Sequence, residues 1–305
     1  QKASGYYRIT NLDFAGNVLL DTTILETNTL QRIFPFFGGG ASYKFNNQLE
    51  VYSNISQNYR AVGYNDLRIT NPNLIIDNNL EDERGFNFDI GVKGNAKNEL
   101  FFYDANFFIL KYNNKIGTYF TTVPDPILIN RVVRYRSNIS SAISYGIELF
   151  AQADIYRLLA KKKEYAPVSL ALFANVSLIN ASYLSSQQTA FNKKKIEDVP
   201  PFTLRTGIDF KWKKLTLGAQ FSYTEKHFSD ATNTKFSADA TVGLIPSYYT
   251  LDFNAGYQWK ILKLQLALNN LTNNKYFTQR ADGYPGPGIL PADAFNANVT
   301  LSVEL

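Results

Sequence analysis

The sequence contains no cysteine and no methionine, and it has a single histidine, His227. Without cysteine there can be no disulfide framework, no thiol chemistry and no cysteine metal site. One histidine cannot form a metal site of recognised spacing, so His227 is expected to be a polar surface residue. Because the chain has neither an initiator methionine nor a visible signal peptide, we expect it to be a processed product or a fragment.

Long apolar runs are also absent: no stretch of about 18 uncharged apolar residues occurs, which excludes a transmembrane helix but not a membrane β-barrel. Catalytic constellations are missing as well. Glu81 and Glu83 lie in a predicted loop without a nucleophile or base beside them. Gly38–Gly40 lies inside a strand pattern with no helix after it, so it is not a phosphate-binding loop. We therefore predict no enzyme activity, no catalytic residues, no metal site and no cofactor.

The net charge of +5 is modest, and the basic runs Lys161–Lys163 and Lys193–Lys195 fall in predicted turns and loops. Neither run is interleaved with stacking aromatic residues, so we interpret both as solvated loop charge. No nucleic-acid partner is expected.

What the sequence does have is strict alternation of apolar and polar residues, clearest from Tyr248 to Leu305. Leu262, Leu264 and Leu266, for example, alternate with polar neighbours. A period of two predicts strands with one apolar and one polar face. In a soluble sheet the apolar face meets a core, whereas in a membrane barrel it meets lipid and the polar face lines the lumen.

Eleven strand-like segments recur along the chain, most of them 11 to 15 residues long, which exceeds the usual strand of a globular sheet. The segments are 33–45, 48–58, 86–95, 99–112, 141–155, 168–181, 202–213, 215–226, 248–259, 262–275 and 293–305. Tyr6 to Thr10 is expected to end a twelfth strand, with 11–31 forming a loop.

The predicted connections alternate between tight turns and long loops, apart from an intermediate one at 156–167. Tight turns fall at 46–47, 96–98, 213–214 and 260–261, and long loops at 59–85, 113–140, 182–201, 227–247 and 276–292. Membrane barrels have short turns on one side and long loops on the other. Trp212 and Trp259 beside two of the tight turns fit an interfacial aromatic girdle. The sequence thus predicts an all-β protein, a transmembrane antiparallel β-barrel with about 11 to 12 strands present.

Two regions resemble the C-terminal half of a TonB-dependent outer-membrane receptor. The first is Asn269–Phe277, then Tyr284–Gly288, then the closing alternating strand. The second comprises Ser53–Arg60 and Asn71–Leu74 followed by an acidic Glu-Asp-Glu, which look like the ferric-dicitrate type. The resemblance runs from about Phe34 to Leu305.

This resemblance implies a wide barrel of about 22 strands filled by an N-terminal plug. It also implies siderophore import across the outer membrane of a Gram-negative bacterium, powered by the inner-membrane TonB–ExbB–ExbD complex acting on the plug. Residues 1–305 would form the C-terminal part of the barrel, with the plug and the N-terminal strands absent. The final Leu305 departs from the aromatic residue that commonly ends members of the family.

The candidate ligand-binding residues are arginines in the predicted long loops, because guanidinium groups bind carboxylate-rich iron chelates through paired hydrogen bonds. They are Arg60, Arg68, Arg131, Arg134, Arg136 and Arg280. Iron would enter only as part of the chelate, and the other partner would be outer-membrane lipid.

The predicted function is import of a ferric siderophore, ferric citrate-like by preference. The alternatives are a passive outer-membrane porin, a TonB-dependent transporter of a non-iron cargo such as glycan or cobalamin, and a soluble all-β binding protein. An upstream plug with an energy-coupling box would separate import from passive passage, and extraction without detergent would indicate the soluble protein.

Overall fold

The computed structural model describes residues 2–12, 18–29, 35–46, 48–68, 74–96, 100–125, 129–160, 167–186, 189–238, 240–281 and 287–303. The elements are β-strands except for two short α-helices, α1 (Tyr64–Leu67) and α2 (Ile155–Leu159), and a 3-10 turn at Thr189–Phe191. No helix in the described ranges is long and apolar enough to span a bilayer. The strands are β1 (Lys2–Leu12), β2 (Val18–Thr29), β3 (Gly38–Asn46), β4 (Leu49–Arg60), β5 (Leu74–Ile76), β6 (Glu83–Ala96), β7 (Phe101–Asp125), β8 (Ile129–Asp154), β9 (Val168–Ser186), β10 (Phe202–Trp212), β11 (Leu215–Thr224), β12 (His227–Phe228), β13 (Leu244–Ile245), β14 (Tyr248–Trp259), β15 (Leu262–Asn269), β16 (Phe277–Ala281), β17 (Gly288–Pro291) and β18 (Asn296–Val303).

One large sheet contains all eleven strands that the sequence predicts. Its order is β18-β15-β14-β11-β10-β9-β8-β7-β6-β4-β3, and β5 adds to β8 as a parallel neighbour. Strands along this order follow one another in sequence apart from the short intervening elements, and the pairings with described register are antiparallel. The predicted strand set is therefore confirmed, although several strand ends differ, most of all the end of β7 and the start of β8, which extend well beyond the predicted bounds.

The register places the apolar residues of neighbouring strands side by side. Trp212 pairs with Leu215, Leu215 with Tyr257, Tyr257 with Leu264, and Leu264 with Leu301. The neighbouring residues on the same strands point to the opposite face and are polar or glycine. They pair with one another in the order Lys211, Thr216, Gly256, Gln265 and Thr300. Since successive strand residues point to opposite faces, the sheet has one apolar and one polar face.

Two tight turns at one end of the sheet share the same structure, a lysine that follows a tryptophan. Lys213 and Lys260, the first residues of these turns, have positive φ angles of 50° and 53°, as twist-matched hairpin turns require. The Lys213 ammonium lies 5.6 Å from the centre of the Trp212 ring, and the Lys260 ammonium lies 5.9 Å from that of Trp259. The amide of Gln258 donates to the carbonyl of Lys214 at 3.1 Å, so the two turns are neighbours.

Aromatic rings cover glycines on adjacent strands. A Cβ added at Gly207 in β10 would lie 2.6 Å from the ring of Phe173 in β9, and one added at Gly146 in β8 would lie 3.0 Å from the ring of Phe108. Side chains at these glycines would displace the rings, so each ring fills the space that the missing Cβ leaves.

The chain divides into two compact units. Unit 1 comprises 1–37, 57–85 and 113–139, and unit 2 comprises 38–56, 86–112 and 140–305. Unit 1 has its own buried apolar residues, namely Val62, Leu74, Leu80, Val133 and Ile139. It also holds β5, which pairs with β8 through Leu74 opposite Arg134.

Two of the predicted loops are wrong. The predicted loop 113–140 is mostly strand, because β7 continues to Asp125 and β8 begins at Ile129. The predicted loop 11–31 contains β2. The expected twelfth strand exists as β1, but it pairs with β2 in a separate two-stranded sheet. The basic run Lys161–Lys163 and Leu305 lie outside the described residues.

Candidate functional site

Arg60 joins two buried carboxylates in unit 1. Its Nη2 lies 2.6 Å from Asp66 Oδ1 and its Nη1 lies 3.0 Å from Glu83 Oε1. The arginine side chain is 46% exposed, whereas those of Asp66 and Glu83 are 11% and 8% exposed. Burial acts to lower the pKa of Arg60, but the hydrogen bonds and charges of the two carboxylates outweigh it, so the pKa is raised.

Each carboxylate also receives a backbone amide. Gly63 donates to Asp66 Oδ2 at 2.9 Å, which ties the start of α1 to a side chain within the helix. Ile116 donates to Glu83 Oε1 at 2.9 Å, which ties β7 to the start of β6. Arg60 therefore holds together three segments of unit 1, and its first role in this structure is architectural.

Asp82 forms a second anchor beside Arg60. It is 4% exposed, accepts a hydrogen bond from the Tyr59 hydroxyl at 2.5 Å, and accepts another from the amide of Val62 at 2.8 Å. The acidic triplet Glu81–Glu83 at the start of β6 thus supplies two buried structural carboxylates, Asp82 and Glu83.

Arg136, on β8, also contacts α1. Its Nη1 donates to the carbonyls of Asn65 and Asp66, both at 2.8 Å. A helix end favours cationic groups because its last carbonyls lack partners within the helix. Arg60 and Arg136 therefore meet at the same short helix, one through the Asp66 carboxylate and the other through its carbonyl.

Arg134 lies two residues before Arg136 on β8 and is half-buried. Burial lowers the pKa of Arg134, and the positive charge of Arg136 lowers it further. Arg131 is also half-buried on β8, and Arg68 is exposed at the end of α1. Five of the six predicted arginines therefore belong to unit 1, and the sixth belongs to unit 2.

Arg280 in β16 closes a loop of unit 2. Its Nη1 donates to the carbonyl of Ala240 at 2.8 Å, its Nη2 donates to that of Leu244 at 2.9 Å, and its guanidinium lies 4.9 Å from the Phe277 ring centre. Both terminal nitrogens are thus engaged in holding the segment before β14.

The loops of unit 2 contain buried residues that the sequence reading missed. Tyr183, Phe191 and Ile245 are each at most 2% exposed, and the Tyr183 hydroxyl donates to Glu197 at 2.6 Å. His227 was expected at the surface, but it is 7% exposed, and its Nδ1 lies 3.1 Å from the carbonyl of Glu225. That prediction is wrong because β12 pairs with β13, which places His227 opposite the fully buried Ile245. In the described residues, no group of three or more His, Asp or Glu could hold a metal ion.

Comparison with known families decides what this sheet belongs to. The model of the TonB dependent receptor-like β-barrel matches residues 6–271. The chain belongs to the TonB-dependent receptor family. A curated relative, the probable TonB-dependent siderophore receptor PiuA of Acinetobacter baumannii, is 25% identical over 251 residues, covering 81% of this chain but 31% of its own length.

Solved TonB-dependent receptors and related transporters share the fold at low sequence identity. The ferric citrate transporter FecA in its unliganded form is 16% identical with a TM-score of 0.66, covering 94% of this chain and 40% of its own. The ferric yersiniabactin uptake receptor FyuA of Yersinia pestis is 15% identical with a TM-score of 0.67, covering 99% and 41%. The copper transporter OprC is 13% identical with a TM-score of 0.65, covering 94% and 42%. The chain thus spans well under half the length of these proteins.

Family membership assigns the two faces of the sheet. The apolar face of this TonB-dependent receptor barrel meets lipid, and the polar face lines the lumen. On β10 the apolar residues extend from Phe202 to Trp212, about 34 Å along the strand. At the usual tilt of 35–45° this corresponds to a band of about 25 Å, the expected height of the lipid-facing surface. Trp212 and Trp259, which are 47% and 60% exposed, mark the edge of this band at the tight turns.

Proposed function

We propose that this chain is part of a TonB-dependent importer of ferric siderophores in the outer membrane of a Gram-negative bacterium. The observation that carries the proposal is family membership together with the similarity to a probable siderophore receptor. Residues 1–305 would form the C-terminal part of a larger barrel, and a plug supplied by the rest of the receptor would receive energy from the TonB–ExbB–ExbD complex.

The ligand would bind at unit 1 through Arg134 and Arg136, with Arg131 nearby on β8 and Arg68 at the end of α1, the helix that Arg136 contacts. The pKa of Arg134 is lowered by burial and then by the positive charge of Arg136, and an anionic chelate beside the pair would relieve the repulsion between them. Planar guanidinium groups suit carboxylate-rich chelates such as ferric citrate. The fold offers no argument among cargoes, because receptors for ferric citrate, ferric yersiniabactin and copper match it about equally well.

Arg60 and Arg280 are less suited to ligand binding than their sequence positions predict. Arg60 is engaged by Asp66 and Glu83, and Arg280 by two loop carbonyls. A chelate would have to displace these partners before either guanidinium could bind it. We place the ligand contacts on the β8 arginines because Arg134 and Arg136 bring two positive charges together on one strand; Arg136 binds two carbonyls as well, through Nη1 alone.

The test is uptake of radiolabelled ferric citrate by cells that depend on the full-length receptor. We expect uptake to require TonB and to fall at least tenfold when Arg134 and Arg136 are both replaced by Gln. The matched control is Arg157→Gln in α2, whose side chain pairs with Asp154 in unit 2. Uptake without TonB would indicate a passive porin. Full TonB-dependent uptake by the double variant would overturn the assignment of these arginines, while leaving import intact.

A further inference from the structure

The apolar face of β9 ends at a polar side chain. From Val168 to Leu178, the residues that point to lipid are apolar, and the next one is Asn180. Its cross-strand partner on the same face of β8 is Tyr145. Asn180 Nδ2 donates to the Tyr145 hydroxyl at 2.6 Å.

Lys195 completes this cluster from the loop between β9 and β10. Its backbone forms a bridge with Ser182, a lipid-facing position two residues beyond Asn180. Its Nζ donates to Asn180 Oδ1 at 2.5 Å. The ammonium group is therefore on the lipid-facing side of the sheet, although the sequence predicted only a solvated loop lysine.

The backbone of Lys195 is fixed from the other side by Asn233. The amide of Lys195 donates to Asn233 Oδ1 at 2.7 Å, and Asn233 Nδ2 donates to the carbonyl of Lys195 at 2.8 Å. Asn233 is itself held by the carbonyl of Asp230, which accepts its amide at 3.1 Å. This two-way clamp positions the lysine before any ligand arrives, which reduces the entropy that binding would cost.

The cluster lies at the edge of the lipid-facing band that is farthest from the tight turns. Leu178 pairs with Phe202, and Val168 pairs with Trp212 at the tight turns. Asn180 is two residues beyond Leu178, about 7 Å farther along the strand. Because short turns of such barrels face the periplasm, the cluster lies at the extracellular boundary of the membrane, where lipid headgroups begin.

The hydrogen-bond inventory of the cluster fits a tetrahedral oxyanion. Lys195 uses one of its three N–H donors on Asn180, and the Tyr145 hydroxyl accepts from Asn180 and so can direct its own proton outward. Over the described ranges, Lys195 forms no ion pair with a carboxylate. Exposed Lys193 and Lys194 add positive charge nearby.

We propose that Tyr145, Asn180 and Lys195 form a binding site for the phosphate of a lipid headgroup in the outer leaflet. The site depends on membership of the barrel family and not on import. A lipid-facing ammonium at a headgroup boundary is complementary to lipid phosphate, and the low dielectric beside the bilayer strengthens the pairing.

The test uses the detergent-solubilised full-length receptor with diphosphorylated lipid A as probe, and native mass spectrometry as readout. We expect bound lipid A to resist removal in the parent protein, and Lys195→Gln to weaken its affinity roughly tenfold, the loss of one charge-assisted hydrogen bond. Asn180→Leu should weaken binding as well, because it removes the group that holds both Lys195 and Tyr145. The control is Lys263→Gln, which removes the same charge from the lumenal face of β15.

Three outcomes would overturn the proposal: equal affinity of Lys195→Gln and the parent protein, equal binding of fully dephosphorylated lipid A, or competition by millimolar inorganic phosphate, which would indicate a site for the free ion. Ferric citrate uptake by Lys195→Gln is measured in parallel and should be unchanged. A loss of lipid binding with normal uptake therefore supports this site independently of the proposed transport function.

Discussion

Replacing Arg60 with Met tests whether this arginine stabilises unit 1. The change keeps a long side chain but removes both charged contacts, at 2.6 Å to Asp66 and 3.0 Å to Glu83. An exposed ion pair contributes about 0–1 kcal/mol, whereas removing the partner of a buried carboxylate costs about 3–5 kcal/mol. Arg60 lies between these cases, because it is half-exposed while both carboxylates are buried.

The remaining contacts set the magnitude. Each carboxylate keeps one backbone donor, Gly63 for Asp66 and Ile116 for Glu83, so neither is stripped of hydrogen bonds. We expect a cost of about 2 kcal/mol, or roughly a 30-fold rise in the local opening constant. The carboxylates have no other cation of comparable geometry in the described ranges.

Hydrogen exchange followed by mass spectrometry measures this opening in the full-length receptor. Amides of Val62, Gly63 and Ile116 should exchange faster in Arg60→Met, and those of the β14–β15 hairpin should not change. Arg157→Met, which removes a single pair at 3.4 Å in unit 2, is the control. Unchanged protection at Val62 and Gly63 would refute the structural role, and a loss of ligand affinity without faster exchange would return Arg60 to the ligand-binding set.

Three further changes probe the wall and the loops. Gly207→Val should destabilise the folded barrel by about 2 kcal/mol in urea-dependent gel-shift assays, because its Cβ would lie 2.5 Å from a backbone carbonyl oxygen. Gly39→Val is the control and should destabilise it less, because no atom lies within 4 Å of the added Cβ. Leu172→Arg, mid-band on the lipid face, should cost about 2–4 kcal/mol, and equal stability of this variant and the lumenal Asp209→Arg would contradict the face assignment. Arg280→Met should speed proteolysis between β12 and β13, where its carbonyl partners Ala240 and Leu244 lie, and an unchanged cleavage rate would argue against the carbonyl clamp.

The strands of the barrel wall were predictable because short stretches of sequence determine them. A period of two fixes the faces, and the tight turns at Lys213 and Lys260 fix the register of the hairpins that they close. The extension of β7 and β8 was not predictable from those rules. A segment such as 113–125 continues a strand because of what it pairs with, and the pairing partner of an extended strand cannot be seen in a short window of sequence.

The candidate arginines show the same difference between what local sequence predicts and what tertiary contacts determine. Their residue type suggested anion binding, but Arg60 and Arg280 are engaged by carboxylates and carbonyls contributed by other segments of the chain. His227 was misplaced for the same reason, since its burial depends on the pairing of β12 with β13. Composition identifies which groups can bind an anion, whereas tertiary neighbours decide which partners each of them has.

The sheet order has a consequence for how the wall is built. Nearly every strand hydrogen-bonds to the strands that precede and follow it in the chain, so the sequence separation between contacting residues is small for a protein of this length. Such a topology pays little loop-closure entropy at each step. The wall can therefore assemble hairpin by hairpin, and a defect in one hairpin would delay only the strands added after it.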